Sequence, residues 1–237
     1  MTNIAMWSGP RNISTAMMYS FVNRADCVGW DEPFYGAYLK ATGLKHPVFQ
    51  DIIAAYECDF AKGAEACLRP ASRPVFYQKH MTHHMLPDVD RTFIRSLTNA
   101  FLIRSPEKVL ASYAKKHVEV SLHAIGFVEQ AEIFDLVAQS LGHAPPVVDA
   151  DVHLEAPRAS LEKLCVALTI PFDEAMLAWT KGPKSCDGVW APHWYNAAWA
   201  STGFEKSPSA SITLPLNLQR IADEARPYYE RLLKHSL

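Results

Sequence analysis

Short apolar runs alternate with longer amphipathic segments along the chain. The runs occupy residues 3–7, 27–30, 75–78, 100–103 and 147–148, and a proline lies within a few residues of each. Uninterrupted apolar runs of this length are typical of strands that are buried on both faces. Helices are predicted between them, from residue 13 or 14 to 23 and at 47–56, 107–117, 127–141 and 157–170. Proline begins two of these, as it often does in the first helical turn.

Strands that alternate with helices favour a parallel sheet with right-handed crossovers. The predicted fold class is therefore α/β. The chain has no internal repeat, low-complexity tract or Gly/Ser linker. We therefore expect a single domain over residues 1–237.

Composition narrows the class of protein. The 237 residues include 23 basic and 25 acidic side chains, a formal charge of −2, which argues against a dedicated nucleic-acid binder. No secretory leader is evident, and no run approaches the roughly 18 apolar residues that span a membrane. Five cysteines without a C-x-x-C pair fit reduced thiols. We expect a cytoplasmic protein whose partner is a small molecule, neither nucleic acid nor membrane; its oligomeric state stays open.

Residues 8–15 read S-G-P-R-N-I-S-T between a predicted strand and a predicted helix. Such a junction directs backbone N–H groups and the positive helix end at one point, which suits a phosphate or sulfate. Gly9 is expected to allow an unusual turn, Arg11 adds a fixed charge, and Ser14 and Thr15 add hydroxyl donors. The alternative is an ordinary capped helix with Arg11 on the surface.

This loop departs from the P-loop pattern G-x-x-x-x-G-K-[ST]. When the first glycine of the pattern is aligned with Gly9, the position of its last glycine holds Ser14. The position of its lysine holds Thr15, and the position of its metal-binding hydroxyl holds Ala16. Hydrolysis of ATP or GTP needs Mg²⁺ on the phosphates, so these losses argue against it. A sulfuryl group carries less charge, and arginine and hydroxyls suffice for it without a metal.

A second basic element covers residues 91–116. It holds six basic residues against one acidic residue, a net charge of +5, and the six are Arg91, Arg95, Arg104, Lys108, Lys115 and Lys116. Arg104 follows an apolar run, so it is expected to face the same crevice as the loop of Arg11. A solvated helix face is the alternative, above all for Lys115 and Lys116.

Three segments together resemble the sulfotransferase family in its usual order: GPRNIST, QKHMTHHMLP and AFLIRSPEKVLASYAKKH. The resemblance implies a three-layer α/β/α fold with P-loop NTPase-like topology and 3′-phosphoadenosine 5′-phosphosulfate (PAPS) as sulfuryl donor. It implies phosphosulfate binding by Arg11, Asn12, Ser14 and Thr15, and 3′-phosphate binding by Arg104, Ser112 and, on a looser match near the C-terminus, Lys184. Ile13 departs from a common glycine, and Ala16 from an adenine-stacking tryptophan.

Sulfuryl transfer needs a general base beside the sulfur. Glu32, in W-D-E-P-F-Y at a predicted strand end, is the first candidate, and a structural carboxylate is its alternative. His80 is the rival, because Lys79-His80 resembles the family's K-T-H segment, although in a shifted register. Lys79 would stabilise the leaving group.

Two further clusters are less specific. His80, His83 and His84 have helical spacing, but neither an internal acidic residue nor a cysteine pair completes a zinc site, so a pocket-lining or structural role is favoured and no metal is predicted. The aromatic segment 189–199 either packs in the core or walls the acceptor side.

The predicted function is transfer of a sulfuryl group from PAPS to a hydroxyl or amine, with Glu32 or His80 as base. Two alternatives remain: a nucleotide-binding protein of this fold without catalysis, and a metal-dependent phosphoryl-transfer enzyme.

Overall fold

Five parallel strands form the central sheet in the computed structural model, which describes residues 1–117, 119–206 and 212–237. The strands are β1 Thr2–Ser8, β2 Cys27–Asp31, β3 Val75–Met81, β4 Thr98–Ile103 and β5 Val147–Asp149. Their order is β2-β3-β1-β4-β5, and every pairing is parallel. Each predicted apolar run lies within one of these strands, so the predicted α/β class is confirmed.

Helices connect and flank the strands. They are α1 Ser14–Val22, α2 Tyr35–Thr42, α3 Phe49–Ala55, α4 Phe60–Leu68, α5 Pro106–Tyr113, α6 Phe127–Leu141, α7 Ala150–Glu155, α8 Pro157–Ala167, α9 Ala191–Trp194, α10 Asn196–Ala200 and α11 Leu216–Leu233. Single 3₁₀ turns lie at Thr82–His84, Thr92–Ser96, His123–Ile125 and Glu174–Leu177. Within the described ranges, no helix is both long enough and apolar enough to cross a membrane.

Two of the predicted helices end three or four residues earlier than expected, and α1 and α3 each end one residue earlier. α5 ends at Tyr113 rather than at residue 117, and α8 ends at Ala167 rather than at 170. After α8 the chain reverses at Thr169, whose φ of 57° is left-handed and cannot continue a right-handed helix. The N–H of Ile170 then donates to the carbonyl of Cys165, a bond that closes helix ends of this kind.

Separate apolar cores cover the two faces of the sheet. Successive residues of β1 alternate between them: Ile4 and Met6 pack into one core, and Ala5 and Trp7 pack into the other, all fully buried. Burial on both faces explains why the strands read as continuous apolar runs. The parallel register brings the carboxyl ends of β1 to β4 to one edge, where the following loops converge.

Candidate active site

A cavity of about 570 Å³ opens at this carboxyl edge. Its walls come from the loops after β1, β2, β3 and β4 and from a later stretch between residues 194 and 206. A volume of this size accommodates a small molecule of nucleotide size. The convergence of loops therefore marks the cavity as the candidate site.

The loop after β1 takes two left-handed residues before α1 begins. Arg11 has φ of 64° and Ile13 has φ of 56°, so Ile13 adopts the conformation that glycine would take most easily. The turn does not require a positive φ at Gly9, contrary to our expectation. Instead, a Cβ at Gly9 would lie 2.4 Å from the carbonyl oxygen of Ile125. Gly9 thus permits a close backbone approach.

Ser14 and Thr15 open α1 and line the cavity. The first turn of α1 carries no acidic side chain. Its N–H groups and the positive end of the helix therefore face the cavity without a competing carboxylate on this helix. This arrangement suits an anionic ligand.

Two guanidinium groups reach the cavity from different elements. Arg11 Nε donates to Ser112 Oγ on α5 at 2.8 Å, and Arg104 Nη1 donates to the carbonyl oxygen of Arg11 at 3.1 Å. Burial and the charge of Arg104 both lower the pKa of Arg11. An anion placed between the two cations would relieve their repulsion. The sequence prediction that Arg104 faces the loop of Arg11 agrees with this geometry.

Most of the other basic residues in 91–116 point elsewhere. Arg91 donates to Glu132, and Lys108 pairs with Asp151 at 2.9 Å. Among the described lining residues, Arg104 is the only one of the six cations of this segment. The net charge of the segment therefore overstates the charge at the cavity.

Two residues expected at the nucleotide lie outside the described lining of the cavity. Asn12 is buried, and its Nδ2 donates to the carbonyl oxygen of Leu102 at 3.2 Å, which ties the loop to β4. Lys184 Nζ donates to the carbonyl oxygens of Thr180 and Gly182 at 2.6 and 2.9 Å. The structure thus gives Asn12 a positioning contact and keeps Lys184 within its own loop.

Glu32 and Lys79 meet in a buried polar cluster at the ends of β2 and β3. Lys79 Nζ donates to Asp31 Oδ1 at 2.9 Å, to Glu32 Oε1 at 2.6 Å and to the hydroxyl of Tyr195 at 2.6 Å. The hydroxyl of Tyr195 in turn donates to Asp31 Oδ2 at 2.7 Å. These three acceptors occupy all three N–H donors of Lys79. Burial opposes the charge of Lys79, but the two carboxylates outweigh burial and raise its pKa.

The second carboxylate oxygen of Glu32, Oε2, is not bonded to Lys79. Glu32 lines the cavity with a side chain 11% exposed, and Oε2 lies 3.9 Å from His84 Nε2. Burial raises the pKa of Glu32, Lys79 opposes the rise, and the charge of Asp31 adds to it. Glu32 also has a φ of 47°, a strained backbone of the kind that clusters at functional sites. A carboxylate with one fixed and one available oxygen is well arranged to accept a proton.

His80 lies on the opposite face of β3 from Lys79. Its ring stacks on Trp7 with centroids 4.3 Å apart, and its Nε2 bonds Gln78 at 3.1 Å. The side chain is 1% exposed and is absent from the described lining of the cavity. Burial lowers the pKa of His80 to about 3. The structure therefore does not bring His80 to the site, because strand alternation turns it into the core.

The remaining histidines of the H-x-x-H-H segment do reach the cavity. His83 and His84 line it, with ring centroids 4.6 Å apart, while His80 points away. Among the described residues, no group of three His, Cys, Asp or Glu side chains is arranged to hold a metal. The pocket-lining interpretation thus fits His83 and His84.

The aromatic segment near residue 190 divides between two roles. Trp194 and Tyr195 line the cavity. Trp190 is 1% exposed in an apolar core, and Trp199 donates its indole N–H to Asp187. Both interpretations of this segment therefore apply, each to different residues.

Several lining residues were not singled out from the sequence. They include Tyr35, His46, Tyr113 and His117. Tyr113 and His117 are four residues apart, a spacing that places them on one face of the predicted helix and was a usable indication. Tyr35 and His46 carry no comparable pattern, because their place depends on how α2 packs.

Comparison with known proteins agrees with this geometry. A family model described as the sulfotransferase domain matches residues 1–234. The chain belongs to the sulfotransferase domain family.

Solved structures share the sulfotransferase fold. The chain is similar to the sulfotransferase domain from the curacin biosynthetic pathway, at TM-score 0.53 and 16% identity, covering 94% of this chain and 96% of that one. It is also similar to a sulfotransferase from Alicyclobacillus acidocaldarius, at TM-score 0.56 and 9% identity, covering 100% and 97%. These likenesses show the P-loop-like α/β fold that the sequence resemblance implied.

Two curated relatives come from Arabidopsis thaliana. They are branched-chain-amino-acid aminotransferase-like proteins 2 and 1, each 35% identical over 233 residues, which are 98% of this chain. The chain spans only 41% and 42% of their lengths. Their names therefore describe longer proteins.

Proposed function

We propose that this sulfotransferase domain transfers a sulfuryl group from PAPS to a hydroxyl or amine of a small molecule, with Glu32 as general base. The observation that carries this proposal is the position of Glu32, which lines the same cavity as Arg11 and Arg104 and is bonded to Lys79 through Oε1 alone. A base and an anion-binding pair at one cavity are what sulfuryl transfer requires.

The donor end consists of the β1–α1 loop, the junction between β4 and α5, and the last turn of α5. Arg11, Ser14 and Thr15 bind the phosphosulfate, and Arg104 and Ser112 bind the 3′-phosphate. The mutual repulsion of Arg11 and Arg104 supports this role, since an anion stabilises both cations. Asn12 holds the loop on β4 through Leu102.

Glu32 acts at the acceptor. Its Oε2 accepts the proton of the acceptor O–H or N–H as the acceptor atom bonds to sulfur. The bond from sulfur to the phosphate oxygen of the donor breaks in the same step, and its electron pair stays on that oxygen. The products are the sulfated acceptor and 3′-phosphoadenosine 5′-phosphate. The raised pKa of Glu32 makes it a stronger base than a solvated carboxylate.

Lys79 serves Glu32 in this proposal as a positioning residue. Its bond to Oε1 fixes the carboxylate, and its charge favours the ionised form. A direct contact of Lys79 with the leaving group stays a prediction, because it would require Lys79 to give up one of its three bonds.

The experiment compares Glu32→Gln with His80→Asn. Transfer from radiolabelled PAPS is measured across a panel of phenols, sugars and amines. Glu32→Gln should lower turnover by about 100-fold or more, the usual contribution of a general base, with unchanged affinity for 3′-phosphoadenosine 5′-phosphate. In the wild type, the rate should rise with pH as Glu32 loses its proton.

His80→Asn is the control and should keep wild-type turnover. Equal loss in both variants, or full turnover in Glu32→Gln, contradicts the assignment of the base. Nucleotide binding without transfer to any acceptor by the wild type would favour the non-catalytic alternative.

A further inference from the structure

We propose that Asp31 is a positioning residue of the reaction, which shares the ammonium group of Lys79 with Glu32 and thereby keeps Glu32 able to take a proton. This inference rests on the proposed function, because Glu32 is the general base in it. Asp31 is absent from the described lining of the cavity, so it acts through Glu32 and not on a substrate.

Asp31 is buried, with a side chain only 1% exposed, and three donors hold it. Its Oδ1 accepts from Lys79 Nζ at 2.9 Å. Its Oδ2 accepts from the hydroxyl of Tyr195 at 2.7 Å and from the backbone N–H of Gly188 at 3.2 Å. Donors on both oxygens stabilise the charge of a buried carboxylate. Asp31 thus places a fixed negative charge beside Glu32.

The sheet sets Asp31 opposite Lys79. The two residues are partners in the parallel register of β2 and β3. Lys79 Nζ also lies 2.6 Å from Glu32 Oε1, so the carboxylates of two consecutive residues bind one ammonium group. One positive charge cannot neutralise both carboxylates, and one negative charge in the cluster is left uncompensated.

The backbone at Glu32 allows two consecutive side chains to reach the same cation. Successive side chains of a strand point to opposite faces, so a strand that continued through Glu32 would turn it away from Lys79. The φ of 47° at Glu32 breaks this alternation, and the N–H of Glu32 donates to the carbonyl oxygen of Lys79 at 2.9 Å. Sharing of the ammonium group accounts for this unfavourable left-handed conformation.

The groups around the two carboxylates include one cation. The titratable and charged groups that face Glu32 are Asp31, Lys79, Tyr35, His84 and Tyr195. Asp31 is also faced by Tyr56, Tyr77 and Cys186. Burial raises the pKa of the tyrosines and of the thiol and lowers that of the histidine, so these groups are uncharged at neutral pH. Of these described groups, only Lys79 is a cation.

The uncompensated charge determines how strongly Glu32 holds a proton. Burial raises the pKa of Glu32, Lys79 opposes this rise, and the charge of Asp31 adds to it. Without the charge of Asp31, the whole charge of Lys79 would act on Glu32 and stabilise its ionised form. The proton from the acceptor goes to Glu32 because, of the two carboxylates, Glu32 lines the cavity.

The test compares the pH dependence of transfer in the wild type and in Asp31→Asn. Asparagine keeps the size of the side chain but removes its charge, so Glu32 should become a weaker base. The measured quantity is kcat/KM for the fastest acceptor of the panel of phenols, sugars and amines, at saturating PAPS. The pH of half-maximal kcat/KM should fall by about one unit or more, with the KM of PAPS unchanged. An unchanged midpoint overturns the proposal.

Asp187→Asn is the matched control. Asp187 accepts from the hydroxyl of Tyr19 at 2.8 Å and from the indole N–H of Trp199 at 2.9 Å, so it holds the same stretch of chain, residues 184–199, that Asp31 holds. It lies outside the Lys79 cluster and outside the described lining of the cavity. The midpoint should therefore stay at the wild-type pH. A shift equal to that in Asp31→Asn would mean that loosening of residues 184–199 moves the midpoint, and it overturns the proposal.

A double variant tests whether Asp31 acts through Glu32. In the Glu32→Gln background, Asp31→Asn should lower turnover no further, since the base is already absent. Losses that multiply would show a role of Asp31 independent of Glu32 and overturn the proposal.

Carbon-13 NMR of the side-chain carboxyl groups tests the same interaction in the wild type. Two interacting carboxyl groups each respond when the other titrates. The carboxyl carbon of Asp31 should therefore shift at the pH at which Glu32 titrates. Absence of this response overturns the proposal, and the measurement decides if Asp31→Asn fails to fold.

The two proposals fail differently. Full turnover in Glu32→Gln overturns the assignment of the base and the role of Asp31 with it. Loss of turnover in Glu32→Gln together with an unchanged midpoint in Asp31→Asn overturns the role of Asp31 alone.

Discussion

Single residues at this site take their chemistry from their neighbours. Burial raises the pKa of Glu32, and the hydrogen bond from Lys79 fixes one of its two carboxylate oxygens, Oε1. The carboxylate was recognisable in the sequence from its place at a strand end. The contacts of Glu32 with Tyr195 and His84 were not recognisable, because strand position does not specify which distant side chains pack against a given residue.

Ser112 gives the most specific prediction at this scale. Ser112→Ala removes the acceptor of Arg11 Nε, so the guanidinium loses the contact that orients it. A hydrogen bond to a charged group contributes enough free energy for affinity for 3′-phosphoadenosine 5′-phosphate to fall by about tenfold. Calorimetry checks this, with the exposed Ser96→Ala as control. Unchanged affinity in Ser112→Ala would mean that Ser112 does not orient Arg11.

Elements with buried faces on both sides were the most predictable. All five strands were placed from apolar runs alone, and α6 matches its predicted bounds. α2 and α4 were not predicted from the sequence. α11 was missed as well, and it contains Pro227, a residue that usually interrupts a helix. The rest of α11 is amphipathic and rich in helix-forming residues, and its packing against α5 and α6 offsets the effect of Pro227.

The loop before α1 gives a prediction at the scale of elements. In Gly9→Ala the new Cβ would lie 2.4 Å from the carbonyl oxygen of Ile125, and backbone must move. We expect a loss of about 1–3 kcal/mol in unfolding free energy, measured with urea, and weaker nucleotide binding.

The comparison for this variant is Gly142→Ala. Gly142 has open space around it and lies away from the cavity lining in the described ranges, but its φ of 73° strains any side chain, so this variant also loses stability and is a control for nucleotide affinity alone. It should leave nucleotide affinity unchanged. Retained stability in Gly9→Ala would show that the loop does not depend on this close approach.

At the scale of the whole molecule, the net charge of a sequence segment does not equal the charge that this segment places at the cavity. The sequence associates the basic segment 91–116 with an anion site, but only Arg104 of its six cations reaches the described lining of the cavity. Net charge along a sequence cannot show which cations acidic neighbours neutralise, because those neighbours come from distant segments such as α6 and α7. That residues 1–237 form one domain stays a prediction.

Buried neutral histidines predict how the fold responds to acid. Burial lowers the pKa of His80 to about 3 and of His153 to about 4, from 6.5. Their contribution to stability is present above pH 6.5 and is lost as pH falls towards these values, because the unfolded state binds the protons first.

In His80→Gln, the free energy of unfolding should therefore fall less steeply as the pH is lowered. The slope of unfolding free energy against pH should decrease by up to about 1.4 kcal/mol per pH unit, the value for one proton. Urea unfolding between pH 4 and about 6 measures it. The exposed His143→Gln is the control. An unchanged slope in His80→Gln would show that His80 does not remain neutral in the fold.

Binding of 3′-phosphoadenosine 5′-phosphate, compared with ATP by calorimetry, tests the assignment of the donor site most directly. We expect the 3′-phosphate contacts of Arg104 and Ser112 to make this nucleotide bind at least about tenfold more tightly than ATP. Equal affinity for ATP would contradict the 3′-phosphate site, and absence of binding would contradict PAPS as the donor.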